Sequence, residues 1–215
     1  MSGTTNFTLY VFGASYYSVR VEIGLAEKGI NYDCCTINGF ICENLEPWYM
    51  KMNPTGKVLT LMHGDKSVCG SAAILKYLDD EFPETVSLYP DKQSPLYDQI
   101  KQFEELVDSY FLGTLVGGCY KYPKYVPKFG LWDHNCCKNI WMEVFNDNFS
   151  SADIYLVVFL KKMGAIGFSS YWEDGKHPFV AEFFKRLEQR PSVKEVFKVY
   201  DDEVRKIREF QIKEY

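Results

Sequence analysis

Asn53-Pro54-Thr55-Gly56-Lys57-Val58-Leu59-Thr60-Leu61, followed by Val68-Cys69-Gly70-Ser71-Ala72-Ala73-Ile74, is the stretch on which the fold turns. Turn formers open it, and two short runs with strand character, Val58 to Leu61 and Lys66 to Cys69, flank His63-Gly64-Asp65, a hairpin turn. Ser71 is placed to cap a helix that buries Ile74, Leu75 and Leu78 and stops at Phe82-Pro83. A turn beside a serine-headed helix offers backbone groups, a hydroxyl and the positive helix end to a small peptide-like ligand.

Upstream, Phe7 to Phe12 predicts a strand, broken by Gly13-Ala14-Ser15. From Ser18, the apolar positions Val19, Val21, Ile23, Leu25 and Ala26 predict a buried helix that Gly29 ends in a left-handed cap. Ile30 to Ile37 returns to strand character, and the short crossover favours parallel pairing. Asn44 to Met52 reads as a less regular helix. The order β-α-β-α-β-β-α is that of a thioredoxin-like domain over residues 1–83.

Prolines 83, 90 and 95 mark a connector, residues 84–95, and residues 96–215 read as an all-helical second domain. Its expected helices include Leu96 to Leu115, Trp132 to Phe145 after a loop at 117–130, Ile154 to Met163, Pro178 to Arg190, and a last one capped by Ser192. That last helix is expected to turn Val196, Val199, Val204 and Ile207 inward. Ser150-Ser151-Ala152-Asp153 reads as a capping box in which Asp153 reaches back to the Ser150 amide. Helix 154–163, apolar on nearly every side, is expected at the centre of a bundle. Two packed domains create a cleft, the usual place for a small-molecule site.

At 215 residues, 47% hydrophobic and 17% aromatic, the chain can bury a substantial core. A net charge of -5 argues against a whole-surface nucleic-acid binder. Lys121, Lys124 and Lys128, interleaved with Tyr120, Tyr122 and Tyr125, read as a solvated loop in preference to a stacking groove. Seven cysteines without CxxC or Cys/His ligand spacing predict no metal site, a core role for the thiols, and a reducing, cytoplasmic setting. The longest apolar run, Ile154 to Leu160, is a third of a bilayer span, so no transmembrane segment is expected.

Two serines carry the candidate chemistry. Ser15 lies between the first strand and first helix, where a hydroxyl can donate to a thiolate. Lowering a thiol pKa by about 2 units takes roughly 2.7 kcal/mol, much of which one charge-assisted hydrogen bond can supply. Tyr10, Tyr16 and Tyr17 are rival hydroxyls. Ser71 can present a hydroxyl and an amide to a carboxylate, with Lys57 as a second charge. A plain capping role is the competing reading for both serines. His63, His134 and His177 have no triad partners and are assigned to turns or the surface.

Leu9-Tyr10, Ser18-Val19-Arg20-Val21, Glu27-Lys28-Gly29-Ile30, Asn53 to Val58, Ser71-Ala72-Ala73-Ile74 with Tyr77-Leu78, Leu88-Tyr89-Pro90 and the 150–153 capping box together resemble a cytosolic glutathione transferase. Glu46 to Met50, Thr55-Gly56, His63-Gly64 and Pro90-Asp91-Lys92 are similar to the ganglioside-induced differentiation-associated branch, whose longer interdomain insertion and C-terminal membrane anchor are not expected here. The resemblance implies glutathione as co-substrate, with Ser15 activating its thiol. The backbone of Val58 would hold its cysteinyl part, and Ser71 its γ-glutamyl carboxylate with Lys57 nearby. Tyr16, Tyr110 and Phe111 would contact a small hydrophobic electrophile, and the chain would form a homodimer.

Two residues depart from that family. Its cis-proline position holds Leu59, for which a cis bond costs about 2.5–4 kcal/mol against about 0.5–1 for proline, so a trans bond is expected. A glutamate or glutamine position holds Gly70. The alternative is therefore a non-catalytic member that binds an apolar ligand or a protein partner, marked by a trans bond with Leu59 filling the cleft.

Overall fold

The structure of the protein, a computed structural model, describes residues 6–13, 15–110, 148–165, 167–173, 175 and 177–213. Strand β1 (Phe7–Val11) is followed by helix α1 (Tyr16–Glu27), β2 (Asp33–Thr36), two single 3-10 turns, and α2 (Pro47–Met52). The hairpin β3 (Thr60–His63) and β4 (Lys66–Cys69) leads to α3 (Ser71–Glu81). Then come α4 (Pro95–Tyr110), α5 (Ser151–Ala165), α6 (Ser170–Glu173), α7 (Pro178–Glu188) and α8 (Pro191–Lys213). The expected loop 117–130 and helix 132–145 lie outside the described residues.

The four strands run in the order β2-β1-β3-β4, with β1 parallel to β2 and antiparallel to β3, and β3 antiparallel to β4. This is the mixed sheet of a thioredoxin-like domain. Alternation along β1 buries Phe7, Leu9 and Val11 on one face, where they join Val21 and Leu25 of α1, Leu61 of β3, and Ile74 and Leu78 of α3 in a single core. Helix α1 ends as expected at Gly29, whose φ is +65°. Its amide donates to Ala26 and that of Ile30 to Leu25, the paired bonds of a Schellman motif.

The chain groups into two compact units, Met1–Val86 with Tyr171–Tyr215, and Ser87–Ser170. In the first, α8 packs on α1. Arg190 grips the Glu27 carboxylate with Nε at 2.6 Å and a terminal nitrogen at 2.7 Å, and the Ser192 hydroxyl donates to the same carboxylate. Ser192 therefore sits inside the first turn of α8 and serves as a tether to α1; the expected cap is corrected. Of the residues expected on the inward face of α8, Val196 is buried and Val204 half-buried, whereas Val199 is exposed, a correction; Val193, Phe197 and Tyr200 complete the buried face.

In the second unit, α5 is buried continuously from Ser151 to Leu160, as expected for a helix apolar all round. The Ser150 amide donates to Asp153 at 2.8 Å, the reach-back bond of the capping box.

Of the seven cysteines, Cys34 and Cys42 are exposed, and Cys35 and Cys69 half-buried; all four are free thiols. The core role expected for them is corrected at these positions, since β2 is an edge strand and Cys42 lies between the two 3-10 turns. Cys119, Cys136 and Cys137 lie outside the described residues. Although Cys34 is exposed at the surface, partial desolvation of its thiol, with the Glu22 and Glu203 carboxylates nearby, pushes it up to about 11, which keeps it a poor nucleophile at neutral pH.

Candidate functional site

One end of the sheet collects three loops. Because Tyr10 of β1 pairs with Thr60 of β3, the exit from β1 lies beside the entry to β3; Thr60 in turn pairs with Cys69, beside the exit from β4. That register brings the Ser15 break, the 53–59 turn and the Gly70-Ser71 helix start to a common edge. The Gly70 amide donates to the Leu59 carbonyl at 3.2 Å, closing the edge between the second and third loops.

A buried polar network sets the shape of the middle loop. Asn53 donates to the Lys57 carbonyl at 2.6 Å and to Thr60 Oγ1 at 3.1 Å, and its Oδ1 accepts from the Thr55 amide and hydroxyl. Tyr49 adds its hydroxyl to the Lys57 carbonyl at 2.9 Å and lies 3.0 Å from Thr60 Oγ1. Burial raises the Tyr49 phenol above its ordinary value, so it remains a neutral donor. Gly56 adopts φ +65°, and a Cβ there would lie 2.9 Å from Leu45 and 3.3 Å from the Met50 sulfur, so the turn closes only around glycine.

The next residues are left with free groups. Among the described residues neither the amide nor the carbonyl of Val58 takes a hydrogen bond, and the exposed Lys57 ammonium joins no ion pair. No cis peptide bond occurs among the described residues, so Val58-Leu59 is trans as expected. The Leu59 side chain, 2% exposed, packs into the core of the first unit with Leu9, Leu61 and Ile74.

The two serines are placed differently from a pair of caps. Ser15 is the N-cap residue of α1 by position, and its carbonyl accepts from the Val19 amide at 3.1 Å, but its hydroxyl makes no capping bond. At α3 the N-cap residue is Gly70, with φ +87° and ψ 141°, and Ser71 is the first helical residue. The capping role expected of Ser71 is corrected: the residue is only 5% exposed, and its hydroxyl bonds to nothing among the described residues. A hydroxyl without a hydrogen-bond partner at the positive end of a helix is a ready donor to an anion.

Tyr16 is 3% exposed; its hydroxyl accepts from Arg20, whose guanidinium lies 4.0 Å over its ring. That packing explains why Tyr16 is not on an open wall, where the substrate role expected of it would place it. Tyr110 is the last residue of α4, and Phe111 lies outside the described residues. His63 is a strand residue with a partner, against expectation: it stacks on Phe7 at 4.2 Å and its Nδ1 lies 2.7 Å from the Tyr77 hydroxyl.

Residues 9–86 match the family model for the glutathione S-transferase N-terminal domain. The first domain is thus similar to that of glutathione transferases. It is 39% identical over 92 residues to glutathione S-transferase 1 of Dianthus caryophyllus, covering 43% of this chain and 42% of that one. It is 26% identical over 121 residues to the human ganglioside-induced differentiation-associated protein 1-like 1, covering 55% and 33%. The chain thus spans less than half the length of these curated relatives. Among solved structures, the glutathione transferase URE2P6 of Phanerochaete chrysosporium, in complex with oxidized glutathione, superposes with a TM-score of 0.74 at 23% identity, over 94% of this chain and 99% of that one. The β-etherase LigF of Sphingobium gives 0.71 at 22%, over 90% and 99%.

Within this transferase fold, Tyr49 and Thr60 are the structural residues that sequence reading did not single out. Both are buried polar groups in an otherwise apolar context, which marks them as bonded inside.

Proposed function

We propose that the first unit binds glutathione and that the chain transfers it to a small hydrophobic electrophile. The observation that carries this is Ser71, a buried residue at the start of α3 whose hydroxyl has no hydrogen-bond partner among the described residues. It shares one sheet end with the free backbone of Val58 and the free hydroxyl of Ser15. These groups fit a γ-glutamyl thiol peptide: a carboxylate acceptor for Ser71 and the helix end, peptide groups for Val58, and a thiol within the reach of Ser15. Lys57 adds a positive charge suited to an anionic ligand. Ser15, with no capping bond to give up, donates to the thiolate and favours its ionisation. A homodimer in the cytoplasm is part of the same proposal.

The trans Val58-Leu59 bond favours a second reading, a non-catalytic member that binds an apolar ligand or a protein partner. Leu59 does not serve that reading further, since its side chain belongs to the core. Calorimetric titration of the purified chain with reduced glutathione tests the first reading. Saturable binding supports it; absence of heat at millimolar ligand leaves the second.

A further inference from the structure

Glycine at position 70 leaves the wall beside Ser71 bare. Its φ of +87° suits glycine, and a Cβ built there meets nothing within 4 Å, so open space lies directly against the helix start. The first turn of α3 holds no acidic residue. Neither do the segments 12–15, 53–59 and 69–73 that meet at this end of the sheet, where Lys57 is the one ionisable residue apart from Cys69.

This inference rests on the proposal that Ser71 seats the carboxylate of a γ-glutamyl peptide. In such a ligand the α-ammonium is bonded to the same carbon as that carboxylate, so seating the carboxylate on Ser71 brings the ammonium up to Gly70. There it finds no side chain at residue 70 and no carboxylate in the adjoining segments. We infer that the site selects the ligand's carboxylate and thiol and is indifferent to its α-ammonium. The substrate class widens accordingly to γ-glutamyl thiol peptides whose amine is acylated or missing. An N-acyl group has the space that a Cβ at Gly70 would have entered, and a des-amino ligand loses nothing the protein was holding.

Calorimetric titration of the wild-type chain with three reduced thiols decides this: glutathione, N-acetylglutathione, and the des-amino analogue glutaryl-cysteinylglycine. The expected result is that all three bind with dissociation constants within about fivefold of one another. If glutathione binds and either analogue is weaker by more than about fivefold, the ammonium is being recognised and the inference is overturned, while the glutathione reading stands. If none of the three binds, both fall together.

Discussion

The side-chain amide of Asn53 bridges the Lys57 carbonyl and Thr60 Oγ1, at 2.6 and 3.1 Å, and so ties the 53–58 turn to the first residue of β3. Asn53 itself is buried, and its removal takes four hydrogen bonds from the turn at once, leaving Tyr49 on the Lys57 carbonyl and Thr60 Oγ1. Asn53→Ala is expected to destabilise the protein by about 1–3 kcal/mol, the cost of lost buried hydrogen bonds. Denaturant unfolding reads the loss directly. Glutathione affinity should fall with it, because Val58 is held in place by this turn.

Ser71 and Ser15 should separate binding from turnover. Ser71→Ala is expected to weaken glutathione binding by roughly tenfold, the worth of one hydrogen bond to a charged group, and Ser15→Ala to leave affinity nearly intact while lowering turnover with a chromogenic electrophile. Calorimetry and steady-state kinetics on the two variants provide the comparison, and the reverse order would remove the assigned roles. Ser15→Ala should also change stability by less than about 0.5 kcal/mol, against about 1 for a working cap, since its hydroxyl makes no cap bond.

Gly56 and Gly29 share the same φ, +65°, in different surroundings. Alanine at Gly29 meets nothing within 4 Å and should cost about 1 kcal/mol for the backbone alone. Alanine at Gly56 must also displace Leu45 and Met50, which should add about 1–3 kcal/mol. Unfolding midpoints of the two variants, measured side by side, test the difference.

Glu22 on α1 gives a pH signature. Burial, reinforced by Glu203 on α8, raises its carboxyl to about 7 from the ordinary 4.5. A carboxyl raised on folding favours the folded state fully below about 4.5, and that contribution is lost as pH rises through about 7. Glu22→Gln should therefore gain stability over the wild type at pH 8, by up to about 3 kcal/mol, and little at pH 4. Equal differences at the two pH values would refute the assignment.

Local patterns in the chain determined the element order through α3, the Gly29 helix stop, the all-buried α5 and the Ser150-Asp153 box, because alternation, caps and turn chemistry act over a few residues. The motif around Asn53 to Val58 and Ser71 likewise pointed to a ligand edge before any fold was visible. Tertiary structure decided the rest. Whether Ser71 caps its helix or stands one residue inside it depends on Gly70 taking φ +87°, which the hairpin register imposes through the Leu59 carbonyl. Whether Leu59 enters the site or the core depends on its pairing partners in space. Ser192 left its expected cap for Glu27, 165 residues earlier in the chain. Side-chain partners chosen across such separations carry no local signature, so only the assembled sheet and helices could show which hydroxyls are spent on structure and which remain for a ligand.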